Sequence, residues 1–140
     1  MPQELSYFRL SLLSFLRDSH PDLATDTNLI ASRGDAAAEA YSAVIKNGQS
    51  HDQAAEAANE VLYSGLLFSP YQTVVQILRE EFGKEANSAL IKEAAVEVLP
   101  ELKDVFSKYK LSDNFETTEE YDQLYTELTG AIQILLEDGI

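Results

Sequence analysis

The sequence contains no cysteine among its 140 residues. This absence excludes disulfide bonds, thiolate zinc sites and cysteine nucleophiles. No stretch approaches the roughly 18 uninterrupted apolar residues that read as a membrane span. No basic run or small-residue cleavage site of a signal peptide accompanies the first apolar stretch. We therefore predict a cytoplasmic protein, a location that agrees with the lack of cysteine.

Basic residues are also scarce, with 10 against 24 acidic residues and a formal net charge of −14. The last thirty residues, 111–140, contain eight acidic side chains and neither lysine nor arginine. Such a chain repels phosphate backbones and anionic lipids. We therefore expect no direct binding to nucleic acid and none to a membrane.

The residue patterns that carry catalysis or metal binding are missing. His20 and His51 are the two histidines, and neither follows a glutamate at the Glu-x-x-His spacing of di-metal helical bundles. The segment Ser50-His51-Asp52-Gln53 has the spacing of a helix capping box rather than the geometry of a catalytic triad. No glycine-rich phosphate loop is present. We expect no catalytic residue, no metal ligand and no cofactor, and so predict that the protein is not an enzyme.

What the sequence does contain is helical periodicity, with 45% hydrophobic residues. Helix starts are indicated by Ser50, by Ser69-Pro70 and by the segment 117–120, which has a second capping-box pattern. Helix ends are indicated by His20-Pro21 and by Asn47-Gly48. The two alanine-rich helices on either side of Gly48 are expected to form an antiparallel pair. We predict an all-α fold, a compact bundle of six to seven helices. Three apolar stripes support it: Leu5, Phe8, Leu12, Phe15 and Leu16; Ile91, Ala95, Val98, Leu102, Val105 and Tyr109; and Tyr121, Leu124, Tyr125, Leu128, Ile132 and Leu135.

Three details of the helices stay open at this stage. Pro100 either kinks one long helix or opens a second helix that continues the same face. Gly34, inside Arg33-Gly34-Asp35, marks a bend or a close contact between helices, and the tripeptide itself lies in a predicted helix, where a cell-adhesion role does not fit. We predict one all-helical unit over residues 1–140, with subdomains 1–83 and 84–140 as the alternative.

Four residues are candidates for contacts with a partner. Tyr7 lies off the main stripe of the first helix, and Arg9 lies at the edge of that stripe, where it must snorkel, find a carboxylate or face a partner. Tyr121 and Tyr125 lie on the acidic last helix. Tyrosine combines an apolar ring with a polar tip, which suits both the rim of a core and an interface.

Three segments carry a resemblance to a known family. They are residues 4–16 with Ser19-His20-Pro21, residues 33–41 and residues 54–62. They resemble a domain-of-unknown-function family of small acidic all-helical proteins from Bacteroidetes, often carried on conjugative transposons. The resemblance covers about the first 85 residues well and the acidic end loosely. It implies a compact helical fold and no established activity, cofactor or functional residue.

The leading hypothesis is therefore an uncharacterised, non-catalytic cytoplasmic interaction or regulatory protein, accessory to a mobile genetic element. It would act on an unidentified protein partner or by self-association. The alternative is an acidic protein of the DNA-mimic or anti-restriction type, whose carboxylates imitate backbone phosphates. That alternative needs a continuous negative ribbon, to which Glu93, Glu97 and Glu101 would contribute. An enzyme is the hypothesis with the least support.

Overall fold

The computed structural model describes residues 2–83 and 87–138, with side chains from Tyr7 onward. Of the described residues, 79% are helical and none lies in a β-strand. The predicted all-α fold is confirmed. Within these ranges no helix combines the length and the apolar character needed to cross a membrane. The predicted core position Leu5 lies outside the described side chains.

The chain divides into two compact units, Met1–Leu67 and Phe68–Ile140. The predicted alternative placed a boundary near residues 83–87, part of which lies outside the described residues. The observed division comes earlier because the helix that starts at Pro70 packs against later helices of the second unit. The chain passes from the first unit to the second between Leu67 and Phe68.

The first unit consists of three α-helices: α1 (Pro2–Ser19), α2 (Thr27–Lys46) and α3 (His51–Leu62). A 3-10 turn at Pro21–Leu23 follows α1, so the predicted helix end at His20-Pro21 is confirmed. Helices α2 and α3 form the predicted antiparallel pair, and small residues let them approach closely. The residues buried in this unit include Phe8, Leu12, Leu16, Ala37, Ala38, Ala54, Ala58, Leu62 and Leu66.

Local signals determine the turn between α2 and α3. Gly48 has a φ of +83°, a left-handed conformation that suits glycine after a helix end. The Ser50 hydroxyl accepts from the Gln53 amide at 3.1 Å, and the Gln53 side chain accepts from the Ser50 amide at 3.0 Å. The predicted capping box is therefore confirmed. This turn places the end of α2 beside the start of α3.

The second unit is assembled from shorter pieces. Helix α4 (Pro70–Ile77) continues as a π-helical turn at Leu78–Phe82, and α5 (Ser88–Val98) follows. Next come a 3-10 turn (Leu99–Leu102), α6 (Lys103–Phe106), a 3-10 turn (Phe115–Thr117) and α7 (Glu119–Glu137). Pro100 lies in the 3-10 turn between α5 and α6, so the helix before it, α5, ends there and does not continue as one kinked helix. The apolar stripe stays buried on both sides of it, at Ile91, Ala95, Val98 and Leu102.

The last helix starts differently from the prediction. Thr118 occupies the N-cap position of α7 without a side-chain cap. Its hydroxyl instead donates to the Phe115 carbonyl at 2.7 Å, and the Thr117 hydroxyl donates to the Asn114 carbonyl at 2.7 Å. The predicted capping box at 117–120 is wrong because the preceding 3-10 turn offers both hydroxyls a nearby acceptor. The predicted apolar face of α7 is confirmed, with Leu124, Leu128 and Ile132 buried.

Candidate functional site

A cleft of about 460 Å³ opens between α1, α2 and α3 in the first unit. We call it the α1–α3 cleft. Its size falls within the roughly 300–1,000 Å³ range of small-ligand and side-chain pockets. Helix α1 contributes two of its lining residues, α2 one and α3 four: Tyr7, Phe8, Tyr41, His51, Asp52, Ala55 and Asn59.

Aromatic rings form one side of this cleft. Phe8 is buried, with 5% of its surface exposed, whereas Tyr7 is 65% exposed and stands at the rim. The two rings meet edge to face with centroids 5.3 Å apart. The Tyr41 ring lies 6.1 Å from Phe8 and also 6.1 Å from the His51 ring. The aromatic side of the cleft therefore extends from the buried ring of Phe8 to the exposed ring of Tyr7 at the rim.

Polar groups form the other side, along the first turns of α3. The Tyr41 hydroxyl and His51 Nδ1 lie 2.6 Å apart and share a hydrogen bond. This bond fixes the orientation of both rings. Asp52 and Asn59 are exposed. No lysine or arginine lines the cleft, and Asp52 has no ion-pair partner in the part of the chain that the structure describes. The cleft therefore has one carboxylate that is not neutralised by a neighbouring cation.

The segment Arg33-Gly34-Asp35 holds the three helices in the geometry that creates the cleft. Arg33 Nη1 donates to three carbonyls at the end of α3: Ser64 at 2.7 Å, Leu62 at 3.2 Å and Val61 at 3.3 Å. These bonds satisfy carbonyls that lack partners within the helix. The tripeptide thus has a structural role here and does not form an exposed extended loop.

The same segment brings α1 against α2. A Cβ at Gly34 would lie 2.6 Å from Arg9 Cγ, so the missing side chain permits the close helix contact. Arg9 Nη2 donates to Asp35 Oδ1 at 2.7 Å. Of the three alternatives predicted for Arg9, the structure shows an ion pair with a carboxylate. Of those for Gly34, it has the close helix contact. Arg9 therefore positions α1 against α2 and does not line the cleft.

The predicted residues of the second unit lie in a different environment. Tyr121 is half-buried, with ring centroids 6.3 Å from Phe115 and 6.4 Å from Tyr125. The Tyr125 hydroxyl donates to Glu80 Oε1 at 2.9 Å, and burial together with this bond raises the pKa of Tyr125 to about 12. A shallow, more polar depression of about 440 Å³ lies around Tyr125, lined also by Arg79, Glu80 and Glu81.

A second tyrosine–glutamate pair occurs in this unit. The Tyr109 hydroxyl donates to Glu127 Oε1 at 2.6 Å, and Lys108 Nζ donates to Glu127 Oε2 at 3.1 Å. The bond to the carboxylate raises the pKa of Tyr109 to about 12, and the same two donors lower the pKa of Glu127. Tyr109 and Tyr125 thus both donate to glutamates of their own unit.

The histidines occupy separate structural positions. His20 is buried, and its Nε2 donates to the Leu66 carbonyl at 2.7 Å, because a carbonyl oxygen can only accept. Over residues 2–83 and 87–138, no group of three histidine, aspartate or glutamate side chains could hold a metal ion. His51, by contrast, belongs to the α1–α3 cleft.

Of the four predicted contact residues, Tyr7 and Arg9 lie in the first unit, and Tyr121 and Tyr125 in the second. Tyr7 is the one that joins an aromatic cleft; a role in contacts stays a prediction for all four. Sequence reasoning missed Tyr41, His51 and Asp52 as neighbours of Tyr7. A signal was available, because Tyr41 and His51 flank the short turn of the predicted antiparallel pair.

The family model for a domain of unknown function (DUF1896) matches residues 1–139. The chain belongs to this DUF1896 family. It is also similar to a solved structure, titled "Crystal structure of protein PG0816 from Porphyromonas gingivalis". The two are 42% identical, the match covers 98% of this chain and 93% of that chain, and the TM-score is 0.92. Porphyromonas gingivalis is a member of the Bacteroidetes.

A comparison with curated proteins gave no significant match. The DUF1896 description carries no activity, and neither it nor the similar crystal structure indicates a catalytic family. The predicted membership in a Bacteroidetes family of unknown function is confirmed, and so is its all-helical fold.

Proposed function

We propose that this DUF1896 protein is a non-catalytic interaction or regulatory protein of the cytoplasm, which binds a protein partner through the α1–α3 cleft. The observation that carries the proposal is the exposure of Tyr7, 65%, at the rim of an aromatic cleft. Leu10 of α1 is also 65% exposed, but it does not line the cleft. Single exposed apolar side chains are common, but an exposed ring at the rim of an aromatic cleft forms a surface suited to contact.

The chemistry of the rim supports binding. Tyrosine is enriched at protein interfaces because its ring buries a large area and its hydroxyl still finds a polar partner. Phe8, below the rim, is packed into the hydrophobic core of the first unit, so a partner would meet a preformed surface. Preformed surfaces lose less conformational entropy on binding. The same surface on a second copy would give self-association.

A role as accessory to a mobile genetic element belongs to the same proposal. It rests on the resemblance of residues 4–16, 33–41 and 54–62 to a family that is often carried on conjugative transposons. In this setting the partner would be a protein of the host cell or of the element. We expect no direct contact with nucleic acid or membranes, because the net charge is −14.

Site-specific photo-crosslinking tests the proposal. A photoreactive phenylalanine analogue is placed at position 7 of the full chain in its native host, and at position 96 as a control, since Val96 is an exposed apolar residue of α5 in the second unit. We expect a discrete adduct from position 7 and none of the same mass from position 96. If position 7 gives no adduct, or both positions give the same adducts, the cleft is not a binding surface.

The DNA-mimic hypothesis has one observation in its favour. Glu93 and Glu97 on α5 and Glu101 in the following turn are all exposed, and successive members are four residues apart. A rise of about 1.5 Å per helical residue separates neighbours by about 6 Å along the axis, near twice the per-strand phosphate repeat of about 3.4 Å. Replacing all three by glutamine should abolish protection of DNA in a restriction-cleavage assay. Unchanged protection, or none by the parent protein, would contradict this function.

A further inference from the structure

We infer that the α1–α3 cleft receives the guanidinium group of an arginine from a basic segment of the partner. This inference rests on the proposed function and names the chemistry of the partner. It follows from three features of the cleft: its rings, its carboxylate and its lack of lysine and arginine. Each feature is present in the described side chains.

The rings supply faces and edges within reach of one bound group. Tyr7, Phe8 and Tyr41 follow one another with centroid separations of 5.3 and 6.1 Å. A cation is attracted to an aromatic face when it lies within about 6 Å of the ring centroid. A group seated in the cleft can therefore be close to more than one ring at once. Arginine is suited to this surface because its planar guanidinium stacks on aromatic rings.

The carboxylate supplies the charge. Asp52 lines the cleft, is exposed, and has no ion-pair partner among the described residues. Among the described residues, no lysine or arginine lines the cleft to compete with an incoming cation. A guanidinium can donate two parallel hydrogen bonds to a carboxylate while its plane contacts a ring. The exposed amide of Asn59 offers a further acceptor on the same helix.

The charge of the whole chain acts in the same direction. The net charge of −14 attracts basic segments and accelerates their association at low ionic strength. An apolar helix is a poorer match, because helix-in-groove binding needs a row of apolar pockets at the spacing of i, i+3, i+4 and i+7. The α1–α3 cleft instead mixes rings with Asp52, His51 and Asn59. Its composition favours one cationic side chain over a row of aliphatic ones.

The test is a titration of the ¹⁵N-labelled full chain, followed by amide shifts, with the capped peptide Gly-Ser-Arg-Ser-Gly. The same peptide with citrulline is the neutral control of matched shape, and N-acetyl-arginine amide represents a free small cation. We expect saturable shifts centred on cleft residues and affinity lowered roughly tenfold or more by citrulline. The free amide should bind more weakly than the peptide, since the partner contributes a segment.

Matched variants locate the binding. Asp52→Asn should weaken binding of the arginine peptide by about threefold or more. The control is Glu56→Gln, which removes the same charge at an exposed position of α3 outside the cleft and should have a smaller effect. Tyr7→Ala should also weaken it, whereas Leu10→Ala should not. Unchanged helical circular dichroism shows that each variant is folded.

Three results would overturn the inference. One is equal affinity for the arginine and citrulline peptides, and another is an equal loss for Asp52→Asn and Glu56→Gln. The third is a dimer of the wild-type chain in sedimentation that Tyr7→Ala converts to monomer, because a second copy would then be the occupant. If crosslinking at position 7 succeeds while the peptides show no preference for arginine, the proposed function stands and this inference fails.

Discussion

The two units of the molecule use their tyrosines in different ways. In the first unit, Tyr7 is exposed and Tyr41 bonds to a histidine at the edge of a cleft. In the second unit, Tyr109 and Tyr125 donate to glutamates, at 2.6 and 2.9 Å. A phenol hydroxyl that already donates to a carboxylate of its own unit has no further proton to donate to a partner. The comparison separates an aromatic surface available for contact from tyrosines that serve their own unit.

The two units also differ in how their helices pack together. The first unit brings long helices together over small residues, with Gly34 and buried alanines at the contacts. The second unit fills the space between its helices with aromatic rings, centred on Phe115. Close contacts over small residues are sensitive to added volume, whereas a core around a large ring is sensitive to its removal. Substitutions that add volume should therefore destabilise the first unit, and substitutions that remove a ring should destabilise the second.

The largest effect is expected from Phe115→Ala in the second unit. Phe115 is buried and its ring meets those of Phe68, Tyr109 and Tyr121, so truncation leaves a cavity. We expect a loss of about 3–5 kcal/mol in the free energy of unfolding, measured by urea denaturation followed at 222 nm. Tyr7→Ala is the matched aromatic truncation in the first unit, with an expected loss of about 1 kcal/mol or less. Equal losses would break the contrast between the units.

The next effect concerns Arg33 in the first unit. Arg33→Met keeps much of the aliphatic length but leaves three carbonyls at the end of α3 without their charged donor. We expect a loss of about 1.5–3 kcal/mol in the free energy of unfolding, in the range for hydrogen bonds to charged groups. Arg17→Met, at an exposed site in the last turn of α1, is the control and should cost about 0.5 kcal/mol. A loss no larger than that of the control would show that Arg33 does not hold α3.

Two glycine substitutions should have opposite signs. At Gly34 a new Cβ would lie 2.6 Å from Arg9 Cγ, so either the Arg9 side chain or α1 must shift, and the Arg9 backbone atoms at 3.4 and 3.5 Å leave little free space. We expect Gly34→Ala to lower the free energy of unfolding by about 1 kcal/mol, overpacking exceeding the gain in helix propensity.

Gly130 in α7 provides the control, because a Cβ there meets open space. Gly130→Ala should stabilise by about 0.5–1 kcal/mol through helix propensity alone. Thermal and urea unfolding of both variants measure the difference. Stabilisation by both substitutions would mean that the contact between α1 and α2 is loose enough to accept a methyl group.

The features that sequence reasoning predicted correctly depend on neighbours along the chain. The capping box at Ser50, the start at Ser69-Pro70 and the glycine at position 48 each depend on a few adjacent residues. Apolar periodicity depends on position within one helix, which is why the face of α7 was predicted. The start of α7 was missed because a 3-10 turn before it competes for the threonine hydroxyls.

The features that were missed depend on how one helix is rotated and aligned against another. The bond between Tyr41 and His51 and the bonds from Arg33 to α3 require the register of an antiparallel pair. Periodicity gives the face of each helix but leaves that register open. For this reason the sequence pointed to Tyr7 as a contact residue, while the cleft beside it became visible only in three dimensions.

The smallest effect is in the alkaline titration of the tyrosines. The hydrogen bond to Glu127 raises the pKa of Tyr109 to about 12, and burial with the bond to Glu80 raises the pKa of Tyr125 to about 12. Since the ordinary value is about 10, each phenol contributes stability below pH 10 that is lost as the pH rises through about 12. Absorbance at 295 nm should show a late-ionising class that Tyr109→Phe and Tyr125→Phe each reduce.

The control for this titration is the chain unfolded in urea, where the bonds to Glu127 and Glu80 are absent and the late class should merge with the ordinary one. Tyr109→Phe should also raise the pKa of Glu127 toward its usual value, because its largest stabilising donor is removed. This second readout is measured from the carboxyl carbon shift by NMR. A late class that is undiminished in the double phenylalanine variant would place the late-ionising phenols elsewhere, and the contrast between the units would then no longer rest on tyrosine–glutamate pairs.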